Sequence, residues 1–422
     1  MQVTKVRKSW FERAGRGLRN GGALGCALGL AMLLWAAPGR SDEKDVDLQK
    51  VVDAMSGIKF GVLAYIDYSA GQMPLADNSH QNYNQLSLTR GYFRFTKDFT
   101  PWLGGHLTTD ISQEVKDTKE SLAGSYILRL KYYYMYLKPK DLGPFTNLKS
   151  EIGMGHIPWL DFEESINPYR LQGTMAIERA GTFASADLGV SLMGNLGGKL
   201  EDAAKKTGNG NYDGKYGSWH LGVYNGGGYA ATENNQNKVV EGRLSLRPLP
   251  SAAPGLQLSY FGLAGQGNAI VRKGDMHKYS PNYAVHLGML SFEHPKVTAT
   301  AQYFATQGNA KGTWLTSNHS ALATDGYSGF LRVSAPGTKN RLSVMGRYDH
   351  FNADKNDEYS NEASYSMWLA GMSYDLYKGN LILVDYEKTD YQKDSGGKGA
   401  MPKHDNKLGD DNKVQVVFQV KL

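Results

Sequence analysis

From Ile58 to the final residue the chain repeats one pattern, in which apolar and polar side chains alternate over segments of about ten residues separated by polar connections. In the first segment Ile58, Phe60, Val62, Ala64, Ile66 and Tyr68 alternate with Lys59, Gly61, Leu63, Tyr65 and Asp67. Comparable segments follow at 85–97, 102–111, 126–137, 149–155, 182–193, 218–225, 238–247, 256–264, 282–292, 297–307, 326–334, 342–351, 364–376, 381–391 and 413–422. Successive strand residues point to opposite faces, so each segment has one apolar face and one wet face. Sixteen such strands, with no apolar run long enough for a spanning helix, predict an all-β fold. That fold is a 16-stranded antiparallel transmembrane β-barrel.

The connections keep the same rhythm. Short links at 98–101, 248–255, 293–296, 335–341 and 377–380 alternate with longer polar ones at 69–84, 112–125, 226–237, 265–281, 308–325, 352–363 and 392–412, as periplasmic turns alternate with extracellular loops. Two links depart from it: 138–148 is long for a turn, and 194–217 is long where a turn is expected. Val240, Gly242, Leu244 and Leu246 read as lipid-facing, with Glu241, Arg243 and Arg247 facing the lumen. Likewise Ile382, Val384 and Tyr386 read outward, and Asp385 and Glu387 inward. Tyr132, Tyr134 and Tyr136 fit an interfacial girdle, with Arg129 and Lys131 inward. Segment 85–97 does not orient, because Arg90 and Arg94 share a parity with Leu86, Leu88 and Tyr92. In the last segment Val414, Val416, Phe418, Val420 and Leu422 alternate with polar partners to the end, which lets it close against the first strand.

Ahead of the strands, Lys5, Arg7, Lys8, Arg13, Arg16 and Arg19 precede an apolar core from Ala23 to Ala37, the form of a secretory signal peptide over 1–39. The only cysteine, Cys26, lies in that core, and Ala23 stands where a lipidation signal needs Leu. Once the leader is removed no thiol remains for disulfides or thiolate metal sites. Residues 1–40 hold seven of the 47 basic residues and one of the 41 acidic ones, which leaves forty of each and no basis for nucleic-acid binding. Residues 40–57 read as a periplasmic tail or a short helix over Val46–Met55, and the barrel domain spans 58–422.

One stretch breaks the alternation. Glu151 to Arg179 begins like a strand and becomes an irregular run with Pro158, Trp159 and Pro168, long enough to be a functional loop and too aromatic to be disordered. Its charged residues His156, Asp161, Glu163, Glu164, Arg170, Glu178 and Arg179 are the candidate pore constriction. Charges at a narrow point filter ions through their local field, whereas charges paired with the wall would only pin the loop. Candidate lumen-wall residues are Arg129, Lys131, Glu241, Arg243, Arg247, Arg332, Arg347, Asp385 and Glu387.

The chain also resembles a known family, the bacterial phosphate-selective porins of the O and P type and their wider relatives. The resemblance rests on IKFGVLAYIDYS, EIGMGHIPWLDFEE, ADLGVSLMG, and WHLGVYNGGGY followed by VVEGRLSLRP. It implies a trimeric sixteen-stranded barrel whose third extracellular loop folds inward, and by the strand count Glu151 to Arg179 holds that loop. The loop's mixed charge departs from the Arg- and Lys-dominated lumen of phosphate-binding members, so no phosphate-binding residue is carried over.

The expected function is an outer-membrane porin of a Gram-negative bacterium, a channel for passive diffusion of small hydrophilic solutes or ions. Its expected partners are outer-membrane lipid, those solutes and two further copies of itself. An alternative is a barrel that sheathes electron-transfer partners. No GxSxG elbow points to an enzyme, the ten histidines show no HExxH spacing, and no cofactor or metal is expected.

Overall fold

The computed structural model describes residues 55–113, 124–273 and 277–422. The expected leader and all but Met55 of the expected N-terminal helix lie outside those residues; Met55 itself is helical. The strands are β1 (Ile58–Pro74), β2 (His80–Asp98), β3 (Leu103–Gln113), β4 (Tyr126–Leu137), β5 (Phe145–His156), β6 (Ala186–Leu196), β7 (Gly217–Tyr224), β8 (Val239–Leu246) and β9 (Leu256–Gln266). After a small hairpin of β10 (Val271–Lys273) and β11 (His277–Tyr279) come β12 (Asn282–His294), β13 (Val297–Gln307), β14 (Ala323–Ser334), β15 (Leu342–Asn352), β16 (Ser364–Tyr377), β17 (Asn380–Tyr391) and β18 (Asp411–Lys421). All but β10 and β11 form one closed antiparallel barrel, each strand beside its neighbour in sequence, so the sixteen expected strands are present. β18 seals it against β1, in register from Leu63 opposite Lys421 to Gln72 opposite Asn412, and leaves no unpaired edge to lipid.

The faces follow the alternation. On β8, Val240, Leu244 and Leu246 are exposed on the outer surface while Glu241, Arg243 and the following Arg247 are buried inward. On β17, Val384 and Tyr386 face out, and Asp385 and Glu387 face in. Leu221, Leu258, Tyr303, Leu331 and Trp368 extend the outer apolar belt.

Two expectations need correction. β1 and β2 run past the belt, so the link expected at 69–84 shrinks to 75–79. Tyr134 and Tyr136 are buried inside the barrel, and Tyr132 stacks on the inward His156 at 4.0 Å, so these tyrosines are no outer girdle. The cause is a bulge: Thr108 pairs with Tyr132 but Thr109 pairs with Leu130, so Lys131 is an extra residue and the parity flips after it. Lys131 and the three tyrosines therefore share the inner face, and Tyr133 takes the outer one. The link at 194–217, long where a turn is expected, is an insertion that leaves the count of sixteen strands intact. Residues 197–216 form a folded excursion at the short-turn end, whose base is a bridge between Lys199 and Gly214.

Candidate functional site

The long connection between β5 and β6 spans 157–185. Pro158 ends the strand, and the chain coils into α1 (Leu160–Ile166), a 3₁₀ turn (Arg170–Gln172) and α2 (Ala176–Arg179). Trp159, Leu160, Phe162, Ile166, Met175, Ile177 and Phe183 join one buried cluster with Phe261 and Leu263 of β9, Val285 and Leu287 of β12, and Phe304 of β13. Each such side chain contributes about 1.5–3 kcal/mol on burial. These apolar side chains of β9, β12 and β13 thus point inward because they meet this connection rather than water.

Polar anchors flank that core. The Trp159 indole N–H donates to Glu163 at 2.8 Å, and Gln302 of β13 donates to the other Glu163 oxygen at 2.6 Å. Arg179 reaches Asp349 of β15 at 3.2 Å and Glu387 at 3.8 Å. Arg347 donates to the carbonyl of Thr174 at 2.9 Å, and Arg332 to the Tyr169 hydroxyl at 3.2 Å. Arg243 donates to the carbonyl of Pro158 at 3.0 Å and lies 4.1 Å from the centre of the Phe162 ring.

These contacts redistribute the candidate residues. Glu163 and Arg179, expected at a constriction, turn into the wall as anchors. Of the nine candidate wall residues, Arg243, Arg332 and Arg347 hold this connection, and Arg247 donates to the carbonyl of Gly214 at 3.2 Å in the 197–216 excursion. Glu387 binds Lys398 at 2.8 Å as well as Arg179, Asp385 accepts from Gln415 at 2.8 Å, and Glu241 is buried. Arg129 and Lys131 line a polar cavity of about 280 Å³.

Burial pushes the Glu163 carboxyl up to about 7, against the lowering effects of Arg347 and of the Gln302 and Trp159 hydrogen bonds. A carboxyl raised on docking binds its proton more tightly in the docked state, so docking is strongest below its undocked value near 4.5 and weakens as pH rises through 7. When protonated, the Glu163 O–H can donate to the Gln302 carbonyl oxygen, now without a partner, once that amide flips. Limited proteolysis within 157–185 is expected to be faster at pH 8 than at pH 5. Glu163→Gln, neutral at both, is expected to abolish that difference; a difference that survives in the variant assigns it to another group.

Asp161, Glu164, Arg170 and Glu178 border open space. Arg170 binds Glu164 at 2.6 Å and Glu178 at 3.0 Å, a triad with one net negative charge. Asp161 has a half-exposed side chain; His156 bonds to Glu151 at 3.0 Å and lies 3.9 Å from Asp161. Asp161, Glu164 and Arg170 share a cavity of about 740 Å³ with Arg94 and Lys149; Glu178 shares one of about 280 Å³ with Arg90, Asp110, Arg129 and Lys131.

Sequence reasoning missed Arg90, Arg94 and Lys149. Arg90, Arg94 and Lys131 surround the ring of Tyr92, their charged groups 5.2, 5.5 and 4.8 Å from its centre. Arg90 and Lys131 also donate to its hydroxyl. Among the described residues none of the three cations is in an ion pair with a carboxylate. Glu164 and Glu178 act electrostatically on Arg90 and Lys131 from the facing side. The signal was the spacing Arg90, Tyr92, Arg94. Leu86 and Leu88, at the same parity, obscured it because β2 is longer than a bilayer requires and both lie toward its loop end.

This architecture, a closed sixteen-stranded barrel with an outer apolar belt, is that of integral outer-membrane barrels. No family model and no curated protein matches the chain. Solved structures do. The anion-selective porin of Comamonas acidovorans is 12% identical with a TM-score of 0.54, over 86% of this chain and 99% of that one. OprB of Pseudomonas putida is 8% identical with a TM-score of 0.55, over 89% and 96%. The trimer form of Vibrio cholerae OmpT is 9% identical with a TM-score of 0.52, over 86% and 99%. At these identities the likeness is one of fold, and the fold is that of outer-membrane porins.

Proposed function

We propose that this chain is an outer-membrane porin, a water-filled channel for passive diffusion of small hydrophilic solutes or ions, with a modest preference for anions. The observation that carries the reading is the pair of polar cavities between the basic wall of β2 to β5 and the acidic edge of the connection after β5. The wall contributes Arg90, Arg94 and Lys131 without ion-paired carboxylates among the described residues, while Glu164 and Glu178 share Arg170. Such an arrangement gives a field across the pore with a small positive excess. The connection at 157–185 is the inward-folded third extracellular loop that narrows it. Its water-facing filter is Asp161, Glu164, Arg170 and Glu178, with His156 beside them. Phosphate selectivity is not proposed, because three carboxylates, Asp161, Glu164 and Glu178, stand in the narrow region.

The outer belt supports residence in the outer membrane, and the trimer form of Vibrio cholerae OmpT supports a homotrimer. The electron-transfer sleeve lacks support, since an apolar core fills the β9 to β13 side of the lumen. An enzymatic role is not proposed.

Reversal potentials in a salt gradient separate the two glutamates. Glu164→Gln is expected to increase anion preference, and Glu163→Gln to leave it unchanged at neutral pH. The opposite ranking sinks the assignment of Glu164 to the filter.

A further inference from the structure

The excursion at 197–216 stands where a porin-type barrel needs only a turn, yet it is a folded unit. It contains α3 (Ala203–Thr207), and its base closes at the Lys199 and Gly214 bridge. From the short-turn end it grips α1 at two points one helical turn apart. The Tyr212 hydroxyl donates to Asp161 at 2.6 Å, and the Asn209 amide donates to the carbonyl of Ser165 at 2.8 Å. Asp161 and Ser165 lie on one face of the helix. Between them Phe162 meets the Tyr212 ring edge-on at 5.1 Å, and Asn209 also donates to Glu293 of β12 at 2.7 Å. Tyr212 holds φ at +49°, a conformation that a bulky residue keeps only when its surroundings fix it. Lys199, Asn211 and Asp213 line the larger cavity together with Asp161 and Glu164.

We infer that 197–216 is a second pore-narrowing element: it enters the lumen from the periplasmic side, sets the width of that vestibule and clamps the third loop from below. The inference rests on the porin reading. Solutes leaving the Arg94 and Glu164 region pass between this excursion and the β1 to β5 wall, so the size limit is set by two segments from opposite membrane faces. Tyr212 is a positioning residue, acting through Asp161 and Phe162.

Two variants in single-channel recordings test it. Residues 200–213 are replaced by Asn-Gly, which joins Lys199 to Gly214 across the existing bridge; conductance is expected to rise roughly twofold as the vestibule widens. Tyr212→Phe keeps the ring but loses the bond to Asp161, and is expected to add open-channel flicker with little change in mean conductance. An assembled deletion variant with wild-type conductance overturns the vestibule role, and a quiet Tyr212→Phe channel overturns the clamp. If the deletion does not assemble, Asn209→Ala with Tyr212→Phe takes its place: flicker supports the inference, and wild-type traces overturn it. A wild-type protein that forms no channel overturns the porin reading itself, which is a different outcome from either.

Discussion

Arg90→Glu combined with Arg94→Glu is expected to turn an anion-preferring channel into a cation-preferring one, with the reversal potential in a potassium chloride gradient changing sign. Both guanidinium groups sit around the Tyr92 ring on β2, and the double variant shifts the local charge by four units opposite Glu164 and Glu178. Even at the dielectric of water, a unit charge acts on an ion about 4 Å away with about 1 kcal/mol. Four units therefore exceed the roughly 1.4 kcal/mol that corresponds to a tenfold ratio, even after partial screening by salt. The strand pairings of β2 do not depend on these side chains, so the barrel should assemble. Conducting channels whose preference does not move would place the Arg90 and Arg94 cluster outside the ion path.

Trp159→Ala is expected to release the loop while sparing the barrel. Trp159 is fully buried, packs against Phe162 and Phe261 with ring centres 5.8 Å away in each case, and supplies one of the two hydrogen bonds to Glu163. Removing a buried aromatic side chain costs about 3–5 kcal/mol, and here a buried carboxyl also loses a donor. The sixteen strand pairings lie elsewhere, so heat-modifiable mobility on gels should match wild type. Conductance should rise and become noisy. Quiet wild-type conductance in the variant would show that the loop stays docked without this anchor.

How legible was this in the sequence? The strands were, because a barrel writes its two solvents into the chain at period two: Val240, Leu244 and Leu246 against Glu241 and Arg243 needs no tertiary knowledge to read. Closure was legible in the final strand for the same reason. Tyr132, Tyr134 and Tyr136 were misread because the bulge at Lys131 shifts parity by one residue, and a bulge leaves no composition signal. Of the constriction candidates, Glu164, Arg170 and Glu178 border open space, whereas Glu163 and Arg179 bond to the barrel wall. A sequence shows which charges a loop carries, but the direction each points depends on how α1 and α2 meet the wall. The same dependence holds for the wall residues. Arg243, Arg332 and Arg347 do face inward, and what covers them is the loop rather than water. The 197–216 excursion was visible only as an anomaly of length.

The most direct test is single-channel recording of the purified wild-type protein in a planar bilayer, with the reversal potential taken in a salt gradient. The predicted result is discrete, long-lived conductance steps with a modest anion preference. A correctly inserted, heat-modifiable barrel that produces no steps would contradict the account.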